Sequence, residues 1–427
     1  MRGRRMALAL AIGIAVVLAT LFRSSARRDG SPTGSVAVPH RDPIRLTSHG
    51  DFAELVDRDR LHELVSVVQP DWSVPTVSRL LHALRTDHLF SQSSAENSWR
   101  SANCLSPQRM LEILTDDGQF REAMYHHSEP LLRRSPHGIR VLSRPDANQF
   151  PGTEMAAHLD VYLSTMAEIG IPLTQPIVAE HGARGNLEDV LNDAIARFSI
   201  DQEIEFTTVA FGLYLPPRTH WTNRFGQTYR FDDLVAKLNR RFQNSSCAGT
   251  HVPYAFAMLA QVDAKTSILS TRSRGLIAAQ LKRIAAVLEA EQRPDGSWGE
   301  DWYAPLLDAE ASRESRAPVF PNELLGRVAV TGHHLEWIGL VPRELRPADA
   351  AVRRAVGYLV GALPQLATAA RESANAYCPV SHGVQGLLAL RKRPADGERD
   401  STVIESAQSQ SNSTSGLIRT VREGRAE

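Results

Sequence analysis

Two segments of the chain share one spacing of thiol and imidazole: Cys247-Ala-Gly-Thr-His251 and Cys378-Pro-Val-Ser-His382. A third segment, Thr331-Gly-His333-His334, carries a histidine pair. Thiolate and imidazole are the donors tetrahedral zinc prefers, and a site that keeps one position open suits Lewis-acid or bound-water chemistry. Cys247, His251, His333, His334, Cys378 and His382 are therefore the candidate metal ligands. A disulfide between Cys247 and Cys378, histidines that simply sit in a helical core, and a thiol nucleophile activated at a helix N-terminus remain open beside it. Glu336 follows the histidine pair and reads either as a second shell to a ligand or as a surface carboxylate. No residue is assigned a catalytic role.

These residues need elements that bring them to one place. Each segment looks like a helix start, with a hydroxyl N-cap and a histidine in the first turn, followed by small and apolar residues. Thr250-His251 leads into Tyr254, Met258 and Leu259; Thr331 to His334 leads into Leu335, Trp337 and Ile338; Ser381-His382-Gly383 leads into Val384, Leu387 and Leu388. The histidines stand 82 and then 48 or 49 residues apart. That spacing suits helical hairpins of about 40 to 50 residues, with one start skipped. His158 is a degenerate fourth copy. Apolar periodicity predicts further helices at Phe52 to Val68, Val74 to Arg85, Leu187 to Phe198, Phe231 to Phe242, Arg274 to Ala290 and Ala348 to Leu363. Another, after a Thr153 N-cap, carries Leu159 to Ile169 and ends at Gly170, whereas Ile204 to Leu215 fits strand or helix. His126 and His127 sit in a polar stretch, and His220-Trp221 fits either a turn or the rim of a cavity.

The most specific string is Gln292-Arg-Pro-Asp-Gly-Ser-Trp298, after a helix ending Ala-Val-Leu-Glu-Ala-Glu. It resembles the QW motif of the squalene-hopene cyclase (terpenoid cyclase) superfamily, and the inner-helix starts resemble those of protein prenyltransferase β subunits and lanthionine cyclases. The resemblance covers Cys247 to Leu390. It implies an all-α fold, an α/α toroid that is complete or partial, in which Gln292, Gly296 and Trp298 tie an outer helix to its turn. It also implies a central cavity suited to a small apolar, isoprenoid-like or lipid ligand. The chain departs from each family's chemistry: it has no Asp-x-Asp-Asp, no Asp-x-Cys, and no adjacent Cys-His pair.

Composition sets the outer limits. Lys and Arg number 48 and Asp and Glu 48, so no net field favours nucleic acid. Met6 to Phe22 is 17 residues without a charge, preceded by Arg2, Arg4 and Arg5. It reads as an uncleaved membrane anchor, with a cleaved signal peptide as the rival, and either one places the rest outside the cytoplasm. Residues 23–50 read as a flexible linker, 51–390 as the helical domain and 391–427 as a disordered tail. Cys104 completes a set of three cysteines, too few for a disulfide framework. Two functions follow as expectations: a metal-dependent enzyme, with zinc the candidate ion, or a binder of an apolar ligand in a central cavity; and a non-catalytic cell-surface interaction or scaffold protein with a structural disulfide.

Overall fold

Apolar residues at three- and four-residue spacing dictate helices through most of the chain, and helices are what form. The computed structural model describes residues 42–391 apart from 51, 70–74, 94–103, 125–128, 151–153, 243–244 and 308–317. All of these belong to the unit His40–Glu427. The expected membrane segment, the first part of the expected linker, the Thr153 cap, His126, His127 and the residues after Arg391 lie outside the described residues. No helix among the described residues is long and apolar enough to cross a membrane.

The helices are α1 (Arg58–Val67), α2 (Val77–Ser93), α3 (Pro107–Thr115), α4 (Asp117–Ala123), α5 (Val161–Glu168), α6 (Leu187–Arg197) and α7 (Glu205–Tyr214). They continue as α8 (Phe231–Leu238), α9 (His251–Thr266), α10 (Thr271–Glu291), α11 (Glu323–Ile338), α12 (Asp349–Ala362), α13 (Ala367–Glu372) and α14 (Ala374–Ala389). The ambiguous stretch at 204–215 resolves as helix α7. Three two-stranded antiparallel hairpins interrupt the pattern: β1–β2 (Leu132–Ser135, Gly138–Val141), β3–β4 (Pro176–Ala179, Ala183–Asn186) and β5–β6 (His220–Thr222, Thr228–Arg230). Strands of three or four residues carry too little alternation to show in a sequence.

Caps fix several starts. Asn186 and Asp189 form a reciprocal capping box on α6, Ser270 caps α10, and Asn322 caps α11 by accepting from Leu325 N. The last of these corrects an expectation: Thr331, His333 and His334 do not open a helix but lie deep inside α11. Likewise Cys378, Ser381 and His382 all lie inside α14, so Cys378 is not in a preceding loop. Both helices are buried on nearly all sides, so no polar face marks where they begin. Pro379 biases Cys378 away from helical backbone, yet the helix runs through it. Ser381 Oγ donates to Cys378 O at 2.7 Å instead of capping. Only His251 opens its helix as expected. His158 precedes α5 and does not lie within it, because Asp160 at φ 57° turns the chain before the helix begins.

Six helices pack in a cycle. α2 contacts α5, α5 contacts α7, α7 contacts α9, α9 contacts α11, α11 contacts α14, and α14 returns to α2. The α11–α14 pair is the closest, and glycine makes it so. A Cβ on Gly332 would lie 2.4 Å from the backbone carbon and oxygen of His382, and one on Gly386 would lie 2.5 Å from Gly332 O. Backbones at that separation exclude any side chain at the crossing.

The turn from Gln292 to Trp298 does structural work. Gln292 Nε2 donates to Gly296 O (2.9 Å) and to Ala351 O (2.8 Å) at the start of α12. Trp298 is fully buried, its indole donates to Leu288 O (2.8 Å), and its backbone N–H donates to Thr331 Oγ1 (3.1 Å). The turn therefore staples α10 to both α12 and α11. The linker, in contrast, stops short of Gly50. Residues from about 42 pack on the helices: Ile44 N donates to Leu213 O, His49 N to Gly339 O, and buried Ser48 Oγ to Ala389 O. Backbone and hydroxyl bonds hold this stretch without the apolar period that would betray it in the sequence.

Candidate functional site

The cycle of helices brings residues far apart in sequence to one buried cluster. α2 supplies His82, α9 supplies His251, α11 supplies His333 and Glu336, and α14 supplies Cys378 and His382. Cys247 comes from the turn ahead of α9. Cys247, Ala248 and Gly249 all have positive φ, at 49°, 55° and 76°. Left-handed non-glycine backbone costs on the order of 1–3 kcal/mol per residue and persists where surrounding structure over-determines it. Here Thr250 Oγ1 donates to Cys247 O (2.7 Å) and Trp302 Nε1 to Ala248 O (2.8 Å), which hold the turn. Gly249 leaves no room for a Cβ, which would meet Phe242 O at 2.8 Å.

Three overlapping sets of ligand-type side chains each bring their donor atoms within 4.8 Å of one another: His82, Cys378 and His382; Cys247, His251 and His333; and His333, Glu336 and His382. The rings of His333 and His382 stack with centroids 3.6 Å apart, and those of His251 and His333 meet edge to face at 4.7 Å. The two sequence segments with shared spacing thus converge.

The first set is the most fully arranged. His82 Nδ1 lies 2.7 Å from Ser78 O, a carbonyl that can only accept, so Nδ1 carries the proton. His382 Nδ1 lies 2.7 Å from Glu336 Oε1, a carboxylate oxygen that again receives the proton. Both Nε2 atoms are left as the lone-pair side, and they stand 3.1 Å apart. Two neutral acceptors do not attract at that distance, so something positive belongs between them. A proton on the His382 imidazole meets that need. Burial opposes charge on His382, but Glu336 and Cys378 outweigh it and lift the imidazole to about 9. Cys378 is held as thiolate, well below the usual thiol range, by a hydrogen bond from the Cys247 thiol and by His82 and His382, against the cost of burial. The same contact, with burial, pushes Cys247 up. None of the three cysteines is disulfide-bonded.

Around this core lies a chain of charge. Burial works against ionisation of Glu336, but His382 and Arg85 keep it a carboxylate. Arg85 Nη2 reaches Glu336 Oε2 (3.2 Å), Glu168 Oε1 (3.1 Å) and Tyr254 OH (3.4 Å). Tyr254 OH donates to Glu168 in turn, and burial together with that carboxylate raises its pKa far above the ordinary phenol value. Arg85, Glu168, Tyr254 and Glu336, with His88, Leu46, Leu89 and Leu340, line a small cleft. Glu336 belongs to both: one oxygen meets the histidine cluster and the other faces the cleft.

His334 is not part of the cluster. Successive helix positions diverge by about 100°, so His334 points away from its neighbour His333. It sits among Trp298, Trp302 and Trp337, accepts from Trp337 Nε1 at 3.1 Å, and is pushed down to about 3 by burial. His158 pairs instead with Glu203 (2.8 Å), with its ring centroid 5.7 Å from that of His251. Trp221 is buried among Phe198, Phe211 and Phe231, while His220 is exposed, so neither lines the site. Sequence reasoning missed His82, Arg85, Glu168 and Tyr254, and it left Glu336 open between the surface and the support of a ligand, whereas Glu336 is buried against His382. His82 and Arg85 do fall three apart, on one face of a helix. Nothing local, however, links His82 to a histidine 300 positions away.

No family model, curated protein or solved structure matches the chain.

Proposed function

We propose that the protein is a zinc-dependent enzyme whose ion is held by His82, Cys378 and His382 inside an α/α toroid. The observation that carries this is the pair of Nε2 atoms 3.1 Å apart, each on a ring whose Nδ1 is already committed to a carbonyl or carboxylate. Two nitrogens bound at ~2.05 Å to one tetrahedral ion stand roughly 3.3 Å apart. The Glu336–His382 contact is the carboxylate–histidine arrangement that orients metal ligands and raises their basicity. Three protein donors leave a fourth position, where a bound water of pKa about 7 would be the nucleophile.

The toroid reading is supported by the closed cycle of six helices and by the alternation along the chain, in which α6, α8, α10 and α12 each stand between consecutive members of the cycle. The cleft at Arg85 and Glu336 is the substrate entrance in this reading. Its mixture of ionised groups and leucines favours a ligand with a polar head on an aliphatic body over a wholly apolar one. The N-terminal apolar segment would tether this domain outside the membrane.

A second reading has one observation in its favour. Cys378 as thiolate, His382 as imidazolium and Glu336 as orienting carboxylate also form a nucleophile–base–orienter series. Elemental analysis of the purified full chain separates the readings. Stoichiometric zinc, with an equivalent lost in His82→Ala, is the expected result. Absence of zinc, with alkylation of Cys378 that abolishes activity, would replace the metal reading by the thiol one. A Cys247–Cys378 crosslink on mass spectrometry would replace both by the non-catalytic interaction protein.

A further inference from the structure

We infer that the centre has a second cation position, formed by Cys247, His251 and His333, beside the one formed by His82, Cys378 and His382. It rests on the metal reading above for its chemistry, and its test keeps the two apart. The two sets share no residue, yet each is a thiol with two imidazoles whose donor atoms fall within 4.8 Å. A zinc ion takes four ligands in almost every protein site. One ion therefore cannot satisfy all six donors, and those left over would be buried polar atoms without partners.

The atoms left over are identifiable. His251 and His333 are 6% and 3% exposed, and the Nε2 of each has no hydrogen-bond partner in the protein. His251 Nδ1 is already engaged by Ser246 Oγ at 2.9 Å, so Nε2 is its free donor. Buried polar atoms are paired in the great majority of cases, and a cation between these two nitrogens and the Cys247 sulfur would pair them. The left-handed turn at Cys247, Ala248 and Gly249 is the second observation: an unfavourable backbone is maintained at the residue that contributes the thiol. The two positions are joined by the contact between Cys247 and Cys378 and by the stacked rings of His333 and His382. Glu336 groups with those same two histidines and supplies negative charge between the positions. Soft thiolate with imidazole selects zinc, or copper in its place, over magnesium or calcium.

Cobalt titration of the full chain, stripped of metal with a chelator, tests this through the visible bands of tetrahedral Co²⁺. Saturation at two equivalents is expected, falling to one in Cys247→Ser and in His251→Ala, and to one of different spectrum in His82→Ala. Circular dichroism of each variant establishes that it is folded, and the conservative Cys247→Ser stands if His251→Ala is not. Saturation of the unaltered chain at one equivalent, unaffected by Cys247→Ser, overturns the second position and leaves the first. One equivalent lost in both His82→Ala and Cys247→Ser shows a single shared ion and also overturns it. No cobalt binding removes both positions.

Discussion

At the scale of single residues, Glu336 and His334 make opposite predictions from positions two apart on one helix. Glu336 orients His382 at 2.7 Å and receives Arg85 on its other oxygen. Loss of a carboxylate in that role typically costs 10–100-fold in metal affinity. Glu336→Gln should therefore weaken zinc by that range in a competition titration with a chromophoric chelator, with the fold intact. His334→Gln should leave zinc affinity unchanged, because that ring sits among tryptophans outside the cluster, though it should lower the melting temperature. Equal effects of the two on zinc would mean that helix α11 presents its residues differently. The neighbourhood was legible here: the shared Cys-x3-His spacing pointed to Cys247, His251, Cys378 and His382, and the fold brings them into one cluster. Which of two adjacent histidines turns inward was not, since that depends on a helical phase that residue types alone do not set. His82 was invisible for a different reason, as its partners are supplied entirely by tertiary packing.

At the scale of elements, the α11–α14 contact is the most exposed to test. A methyl on Gly332 would fall 2.4 Å from His382 backbone, and backbone cannot swing aside as a flexible side chain can. Gly332→Ala should cost about 1–3 kcal/mol or more in chemical denaturation and displace His382, so that zinc is lost together with stability. Asp232 gives an acid-side prediction. Partial burial opposes its charge, but hydrogen bonds from Ser273 and Ser270 prevail and lower its pKa. It accepts from Ser270 N (3.1 Å) and Oγ (2.8 Å), which joins α8 to the capped start of α10. A carboxyl with a depressed folded pKa stabilises fully above the unfolded value, near 4, and loses that contribution as pH falls through the folded value. Asp232→Asn should therefore melt below the unaltered protein at pH 7, and the difference should shrink toward pH 2. A constant difference across that range would show that charge is not the cause. Helix existence was legible from periodicity over much of the body, although α3, α4 and α13 were not foreseen, and α6, α10 and α12 fall within a few residues of expectation. Boundaries inside α11 and α14 were not, because a helix apolar on every side carries no signal of where its buried surface starts.

At the scale of the whole molecule, an ion bound only by the folded chain stabilises it by mass action, by about 4 kcal/mol at a thousandfold excess over the dissociation constant. Stripping zinc with a chelator should lower the melting temperature by several degrees, and readdition of zinc but not magnesium should restore it. No shift would place the centre outside the folding equilibrium. The closing contact of the helix cycle has a further consequence. His82 is delivered near the beginning of the described body and His382 near its end, so during synthesis the first donor waits until almost all of the domain has left the ribosome. No product that stops short of His382 could make that site. Acquisition of the metal would thus act as a proofreading signal, reporting that both extremities of the domain have been made and have found each other.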